Sequence, residues 1–218
     1  MLVVRGPSYH MPSRNTIKEF AAEEFYHVYN RGVEKRVIFL DDQDYTVFLG
    51  ILKKYLTGER ANDINRHQFN NLAHELDLLA YCLMPNHFHL LFYQHTPDAI
   101  TKMMRRLMTS YAMYFNNRYN RVGTLFQGRY KASHINADSY LHHISRYIHL
   151  NPEDHANWPY SSYKNYLGKK KAGWVKTRAI LDLFDGDAKQ YTQFVEDYID
   201  NRAEISAIKW QLADDLDD

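Results

Sequence analysis

Two apolar stretches separated only by Pro85 and Asn86 constrain the fold of this chain more than any other feature. The stretches cover residues 78–84 and 87–93, and each has the length of a β-strand. A proline followed by a small polar residue favours a tight turn between strands. We therefore predict a β-hairpin at the centre of the chain.

The second strand of this hairpin begins with His87, Phe88 and His89. Strand side chains alternate between faces, so both imidazoles should point the same way and Phe88 the opposite way. The two Cα atoms would lie roughly 6 to 7 Å apart, close enough for two nitrogens to bind one divalent ion. The alternative is a strand that carries two histidines on its solvent-facing side.

Residues 136–152 carry apolar positions at helical spacing and are predicted to form one helix. Pro152 disfavours helical geometry at Asn151, so the helix should end there. His143, Tyr147 and Asn151 are spaced four residues apart and would share one stripe of its surface. Such a stripe suits a tyrosine nucleophile flanked by polar groups. The alternative is that Tyr147 and Ile144 simply pack in the core, since tyrosine is usually an amphipathic residue of the core or its rim.

The order of predicted elements is strand, helix, hairpin, helix, strand, followed by the tyrosine helix. That order is the ferredoxin-like arrangement, so we predict an α+β fold with an antiparallel sheet and helices on one face. A small helical C-terminal appendage should follow. The predicted organisation is an N-terminal arm (1–22), a catalytic domain (23–153) and a C-terminal extension (154–218). The predicted elements are strands 24–30 and 131–135 and helices 42–57, 99–119, 178–184 and 187–201.

Positive charge is concentrated in one part of the chain although the formal net charge is only +1. Residues 99–137 contain no Asp or Glu but seven basic residues interleaved with aromatic ones. Single-strand binders use cations for phosphates and rings for unstacked bases. The alternative for many of these side chains is a solvated helix face over core aromatics. The basic candidates for DNA binding are Lys102, Arg105, Arg106, Arg118, Arg121, Arg129 and Lys131.

Composition limits the class of protein. Cys82 is the only cysteine, which excludes an internal disulfide and fits a reducing cytoplasm. No apolar run is long enough to span a membrane, so we expect a cytoplasmic protein without a membrane partner. The segment after Leu181 is acidic, which indicates a cover over a basic groove or an ordinary solvated terminus.

Four ordered motifs resemble the REP-associated tyrosine transposases, part of the larger group of single-tyrosine transposases with a His-hydrophobe-His motif. The resemblance extends from about Tyr26 to Tyr163. The motifs are Tyr26-His27-Val28-Tyr29-Asn30-Arg31-Gly32, Tyr81-Cys82-Leu83-Met84-Pro85-Asn86-His87-Phe88-His89-Leu90-Leu91, Gly123-Thr124-Leu125-Phe126-Gln127-Gly128-Arg129-Tyr130-Lys131-Ala132 and Ser145-Arg146-Tyr147-Ile148-His149-Leu150-Asn151-Pro152.

This resemblance implies a metal-dependent endonuclease that cleaves single-stranded or hairpin DNA through a 5′-phosphotyrosine link. It implies Tyr147 as the nucleophile and His87 and His89 as metal ligands. The third ligand of related transposases corresponds to Asn151, which would bind directly or through water, or would simply end the helix. An amide oxygen suits Mg²⁺ or Mn²⁺ better than zinc. His143 is a candidate for orienting or deprotonating Tyr147.

Two other functions are compatible with parts of this pattern. One is a DNA-binding protein of the same fold that recognises hairpin DNA without mobilising it. The other is an unrelated metal hydrolase that uses His87 and His89 on a small molecule, although such an enzyme would not need the acid-free basic segment. The sequence leaves open whether the protein is a monomer or a homodimer.

Overall fold

The computed structural model of the protein describes residues 20–57, 71–135 and 138–198, apart from the side chains of residues 138 and 139. Most of the predicted N-terminal arm and the end of the acidic C-terminal segment lie outside the described residues. Four strands form one antiparallel sheet. The strands are β1 (Glu24–Arg31), β2 (Leu76–Met84), β3 (His87–Gln94) and β4 (Lys131–Ile135). Their order across the sheet is β2-β3-β1-β4.

Six α-helices accompany the sheet within the described residues. Short 3₁₀ turns occur at Val33–Lys35 and Asp182–Phe184. None of the described helices combines the length and apolar character required to cross a membrane. The helices are α1 (Asp42–Thr57), α2 (Ala99–Arg118), α3 (Asp138–His149), α4 (Tyr163–Tyr166), α5 (Arg178–Leu181) and α6 (Ala188–Glu196).

The predicted α+β class and the antiparallel sheet are confirmed, and the strand order is that of a ferredoxin-like fold. Helices α1 and α2 share one face of the sheet, where they bury a large apolar core. Helix α3 lies on the opposite face, in a second core that also contains α5 and α6. The prediction that the helices cover one face of the sheet is therefore correct for α1 and α2, whereas α3 covers the other face. Because His89 points away from α1 and α2, α3 can reach it only from this second face.

Strand β3 separates the two cores through its alternation. Phe88, Leu90 and Phe92 point into the core under α1 and α2, whereas Leu91 points into the core under α3. All four side chains are fully buried. His89 follows the same alternation and faces α3, so the predicted opposition of His89 and Phe88 is correct.

The C-terminal segment is hydrogen-bonded to the outer edge of the sheet. Backbone bonds join Leu83 to Tyr160 and Ser162 to Tyr81, both at 2.9 Å, and Lys176 donates to Leu78 at 2.8 Å. These bonds satisfy groups of the β2 edge that would otherwise face solvent. Parts of the segment after residue 154 therefore pair with β2 and extend the sheet at that edge.

A buried carboxylate joins the two helices on the first face. Asp44 of α1 is completely buried, and it accepts hydrogen bonds from Tyr114 at 2.9 Å and Arg118 at 2.8 Å, both on α2. Tyr119 donates to its other oxygen at 2.9 Å, as does the backbone amide of Leu40 at 2.8 Å. A buried charge with this many donors is stable only while they remain in place.

Replacement of Asp44 by Ala should lower the free energy of unfolding by about 1 to 3 kcal/mol, because the hydroxyls of Tyr114 and Tyr119 lose their acceptor while Arg118 keeps only its contact with Asp41. Urea denaturation followed by circular dichroism measures this change. Exposed Glu153→Ala is the matched control and should stay within about 0.5 kcal/mol of wild type. Equal stability of the two variants would contradict the importance of the buried carboxylate.

Candidate active site

The hairpin places His87 and His89 on the same face of β3, with ring centroids 5.1 Å apart and nearly perpendicular planes. His87 is partly exposed at the start of the strand, and His89 is fully buried beneath α3. Of the two histidines, only His87, at the hairpin end of the strand, therefore reaches solvent.

Asn151 approaches His87 and His89 from the turn that follows α3. Helix α3 ends at His149, two residues earlier than predicted, and the chain then turns so that the Asn151 amide meets both rings. Its Oδ1 lies 3.0 Å from Nε2 of His87, and its Nδ2 lies 3.4 Å from Nε2 of His89. The two predicted histidine ligands and the predicted third ligand thus lie together, with Nε2 of each ring facing one atom of the Asn151 amide.

The hydrogen bonds of His87 fit a cation ligand. Nδ1 of His87 lies 2.7 Å from Oδ1 of Asn86, and Asn86 is oriented by donating from Nδ2 to the Lys35 carbonyl at 3.2 Å. His87 therefore faces an acceptor oxygen on both sides, one from Asn86 and one from Asn151. A neutral imidazole has a single N–H and cannot donate to both. A proton at Nδ1 and a cation between Nε2 and Asn151 would satisfy all three groups.

The donor set also fits a small divalent cation. Adjacent ligands of an octahedral ion with bonds of about 2.1 Å are roughly 3 Å apart, and Nε2 of His87 and Oδ1 of Asn151 are separated by 3.0 Å. Within the residues that the structure describes, no group of three His, Cys, Asp or Glu side chains is arranged for a metal. An ion held here would therefore take its third protein ligand from the amide of Asn151.

Tyr147 lies directly beside the histidines. Its ring meets the ring of His89 edge-on at a centroid distance of 5.4 Å, and it meets the ring of His27 edge-on at 6.0 Å. Only 6% of the tyrosine is exposed. Leu141, Ile144 and Ile148 of the same helix are buried in the second core. Their packing holds the Tyr147 turn against β1 and β3.

His143 has different neighbours from those expected of a catalytic base. Its Nδ1 accepts a hydrogen bond from Arg146 at 2.8 Å, and its ring contacts His142 and Phe194. Burial, with smaller contributions from His142 and Arg146, lowers the pKa of His143 to about 4. An imidazole with so low a pKa is a weak base at neutral pH. These contacts connect His143 to α6 and weaken the case for a proton-transfer role.

His27 belongs to the site although its sequence position did not single it out. It is completely buried on β1, and its Nε2 lies 2.9 Å from Nδ1 of His89. Burial lowers the pKa of His27 to about 3. The first motif contains this residue, and alternation along β1 puts it on the same face as Tyr29. Only the pairing of β1 with β3 shows that it meets His89.

The seven basic candidates do not form one continuous surface. Arg129, two residues before β4, and Lys131, its first residue, are exposed, and Lys131 pairs with Tyr29 in the register of β1 and β4. This position is near the end of β1 that also carries the histidine site. Arg105 is exposed on α2, on the far face of the sheet. Lys131 also interacts with a protein group. Four other candidates have the following partners: Lys102 contacts Glu75, Arg106 contacts Tyr55, Arg118 contacts Asp41 and Asp44, and Arg121 contacts Asn116.

A buried polar network fastens the tyrosine helix to the C-terminal segment. His149 of α3 is fully buried and meets the hydroxyl of Tyr191 at 2.7 Å and Oγ of Ser162 at 2.7 Å. The Tyr191 hydroxyl also lies 3.0 Å from Oγ of Ser145. Ser162 continues the network to the backbone of Tyr81 on β2. The position of α3 therefore depends on residues that lie beyond the ferredoxin-like core.

Comparison with known proteins relates this arrangement to a family. Residues 50–151 match the family model described as "Transposase IS200 like", which confirms the resemblance found in the sequence. The chain is also similar to a solved structure described as "Structure of the REP associates tyrosine transposase bound to a REP hairpin". The TM-score is 0.50 at 15% identity, over 72% of this chain and 93% of that one, so the likeness concerns the fold. No curated protein matches the sequence.

Substitution of Tyr191 by Phe should lower the free energy of unfolding by roughly 1 to 3 kcal/mol, because His149 and Ser145 lose their shared partner inside the core. Urea denaturation is the measurement. Tyr140→Phe is the matched control, since the Tyr140 hydroxyl is buried without a hydrogen-bond partner among the described residues. That variant should be at least as stable as wild type, and a similar loss in both would contradict the network.

Proposed function

Because residues 50–151 match the IS200-like transposase family, we propose that the protein is a metal-dependent endonuclease and strand transferase acting on single-stranded DNA. The proposed substrate is repeat DNA that contains a hairpin, and cleavage passes through a 5′-phosphotyrosine link. The observation that carries the proposal is the placement of Tyr147 against His89, 5.4 Å between ring centroids, where His87, His89 and Asn151 converge.

Tyr147 acts as the nucleophile in this proposal. Its phenol oxygen forms a bond to the scissile phosphorus while the bond to the 3′ oxygen breaks. The phenol proton is lost, and the departing oxygen gains a proton to become a 3′-hydroxyl. A phenol has a pKa near 10 and needs stabilisation of its anion to react at neutral pH. The rings of His89 and His27 fix the orientation of the phenol for this attack.

His87, His89 and Asn151 would hold Mg²⁺ or Mn²⁺ in this proposal. When bound, the cation would supply the positive charge that stabilises the developing negative charge on the phosphate. Three protein ligands leave coordination positions for substrate oxygens and water. The residue pattern thus matches the chemistry that phosphodiester cleavage by a phenol requires.

The reverse reaction follows from the same geometry. A phosphotyrosine ester keeps the energy of the cleaved bond, so a 3′-hydroxyl can attack it and join strands without a nucleotide cofactor. The tyrosine is only 6% exposed, and a site that limits water protects such an ester from hydrolysis. Strand transfer is therefore favoured over simple nuclease activity.

DNA would approach along the exposed residues near the site. Arg129 and Lys131 lie beside the end of β1 and are suited to phosphate contacts. Arg105, on the opposite face, would contact DNA only if the strand passes around the sheet. We further propose a cytoplasmic protein that works as a monomer or a homodimer.

Replacement of Tyr147 by Phe should abolish the covalent adduct, because the attacking oxygen is removed while the ring remains. Labelled single-stranded DNA with a hairpin is incubated with Mg²⁺ or Mn²⁺, and adducts are separated on a denaturing gel. Tyr140→Phe, on the same helix, should form the adduct as wild type does. An adduct of unchanged yield with the Tyr147→Phe protein would show that another residue is the nucleophile.

Replacement of Arg129 by Ala should weaken DNA binding and reduce the slope of log affinity against log salt by about one. A fluorescence anisotropy titration at several salt concentrations measures both quantities. Lys189→Ala removes an exposed cation of α6 and should leave the slope unchanged. If the Arg129 variant retains the wild-type slope, that side chain does not contact a phosphate.

A further inference from the structure

We propose that His27 is a positioning residue that holds His89 in the tautomer needed for metal binding. This inference rests on the proposed function, because it assigns His89 as a ligand through Nε2. Its starting point is the contact between Nε2 of His27 and Nδ1 of His89 at 2.9 Å. Both residues are completely buried, so water does not compete for either nitrogen.

The direction of this hydrogen bond decides what His89 can do. If Nδ1 of His89 carries the proton and donates it to His27, Nε2 keeps its lone pair. That lone pair faces Asn151, whose Nδ2 lies 3.4 Å away and can donate to it. If His27 were the donor, the proton of a neutral His89 would sit on Nε2 and block coordination. Only the first arrangement leaves His89 ready to bind a cation.

The first arrangement has a consequence for His27 itself. A ring that accepts at Nε2 carries its own proton at Nδ1, and Nδ1 of His27 is buried with no hydrogen-bond partner among the described residues. An unpaired buried N–H reduces stability. A residue kept only for packing would not need this nitrogen, because a phenylalanine fills a similar volume. The presence of a histidine with an unpaired Nδ1–H at this position is explained by the acceptor that its Nε2 offers to His89.

His87 has an equivalent arrangement, which supports this reading. Oδ1 of Asn86 faces Nδ1 of His87 at 2.7 Å, and the amide is oriented by the Lys35 carbonyl. Each candidate ligand thus meets an acceptor at Nδ1 and presents Nε2 to Asn151. Outer partners of this type orient metal-binding histidines in many proteins.

The tautomer can be measured without metal, DNA or any substitution. Protein labelled with ¹⁵N-histidine is studied at pH 8 by long-range ¹H–¹⁵N NMR, which distinguishes Nδ1–H from Nε2–H for each ring. We expect the proton of His89 on Nδ1 and that of His27 on Nδ1. A proton on Nε2 of His89 would overturn it.

Variants of His27 test the effect on metal affinity. His27→Phe removes the acceptor and should weaken Mn²⁺ binding about 10- to 100-fold. His27→Gln retains an acceptor oxygen and should recover most of the affinity. Leu91→Val alters packing opposite His27 and should bind Mn²⁺ as wild type does. Isothermal titration calorimetry measures the Mn²⁺ affinity of the wild type and of the three variants.

The outcomes separate this inference from the proposed function. Mn²⁺ binding by His27→Phe with wild-type affinity would overturn the positioning role even if wild type forms the covalent DNA adduct. A purely structural role would instead leave the affinity of His27→Phe for Mn²⁺ unchanged. Failure of wild type to form the adduct would overturn the proposed function, whereas the tautomer of His89 is decided independently of any cleavage.

Discussion

Strand β3 imposes the constraint on which the rest of the structure depends, because it supplies side chains to both faces of the sheet. Phe88, Leu90 and Phe92 anchor the core under α1 and α2. His89 and Leu91, between them, face α3. A shift of one residue in register would exchange the two sets and bury the histidines among apolar side chains. The apolar core therefore fixes the position of the candidate ligands as firmly as it fixes the fold.

The second face is assembled from distant parts of the chain. The ferredoxin-like core supplies His27, His87 and His89, whereas Tyr147 and Asn151 come from α3 and the turn after it. Helix α3 is in turn connected to α6 by the Tyr191 hydrogen bonds. The relative placement of the candidate nucleophile and the candidate ligands is thus a property of the whole described chain. A fragment that ends after Asn151 would lose the contacts that fasten its tyrosine helix.

The fold was largely predictable because its signals are local. Apolar spacing defined α1 at 42–57 and β4 at 131–135 with their observed ends, and the hairpin was predicted from Pro85 and Asn86. The end of α3 was placed two residues too late, because Pro152 restricts Asn151 but does not show where the backbone leaves the helix. The packing of α3 on the second face was also missed. Helical periodicity reveals an apolar stripe without revealing which face of the sheet it covers.

The site was predictable only in part. Sequence spacing and the family resemblance had already grouped four residues that the structure places together: His87, His89, Tyr147 and Asn151. His27 was not singled out, since its partner is 62 residues away in sequence and is brought near by strand pairing. Arg118 was expected to bind DNA but contacts Asp41 and Asp44. Charge density along a sequence does not show which cations are already paired in the fold.

The backbone pairing between β2 and the C-terminal segment restricts how copies of this protein can assemble. Residues 160–162 and 176 occupy ladder positions along that border of the sheet. A second molecule could extend the sheet there only by displacing them, which would break hydrogen bonds and also pull on the connection to α6. Joining two sheets across β2 would thus dismantle the support of the tyrosine helix. Any assembly that keeps the site intact must use another surface.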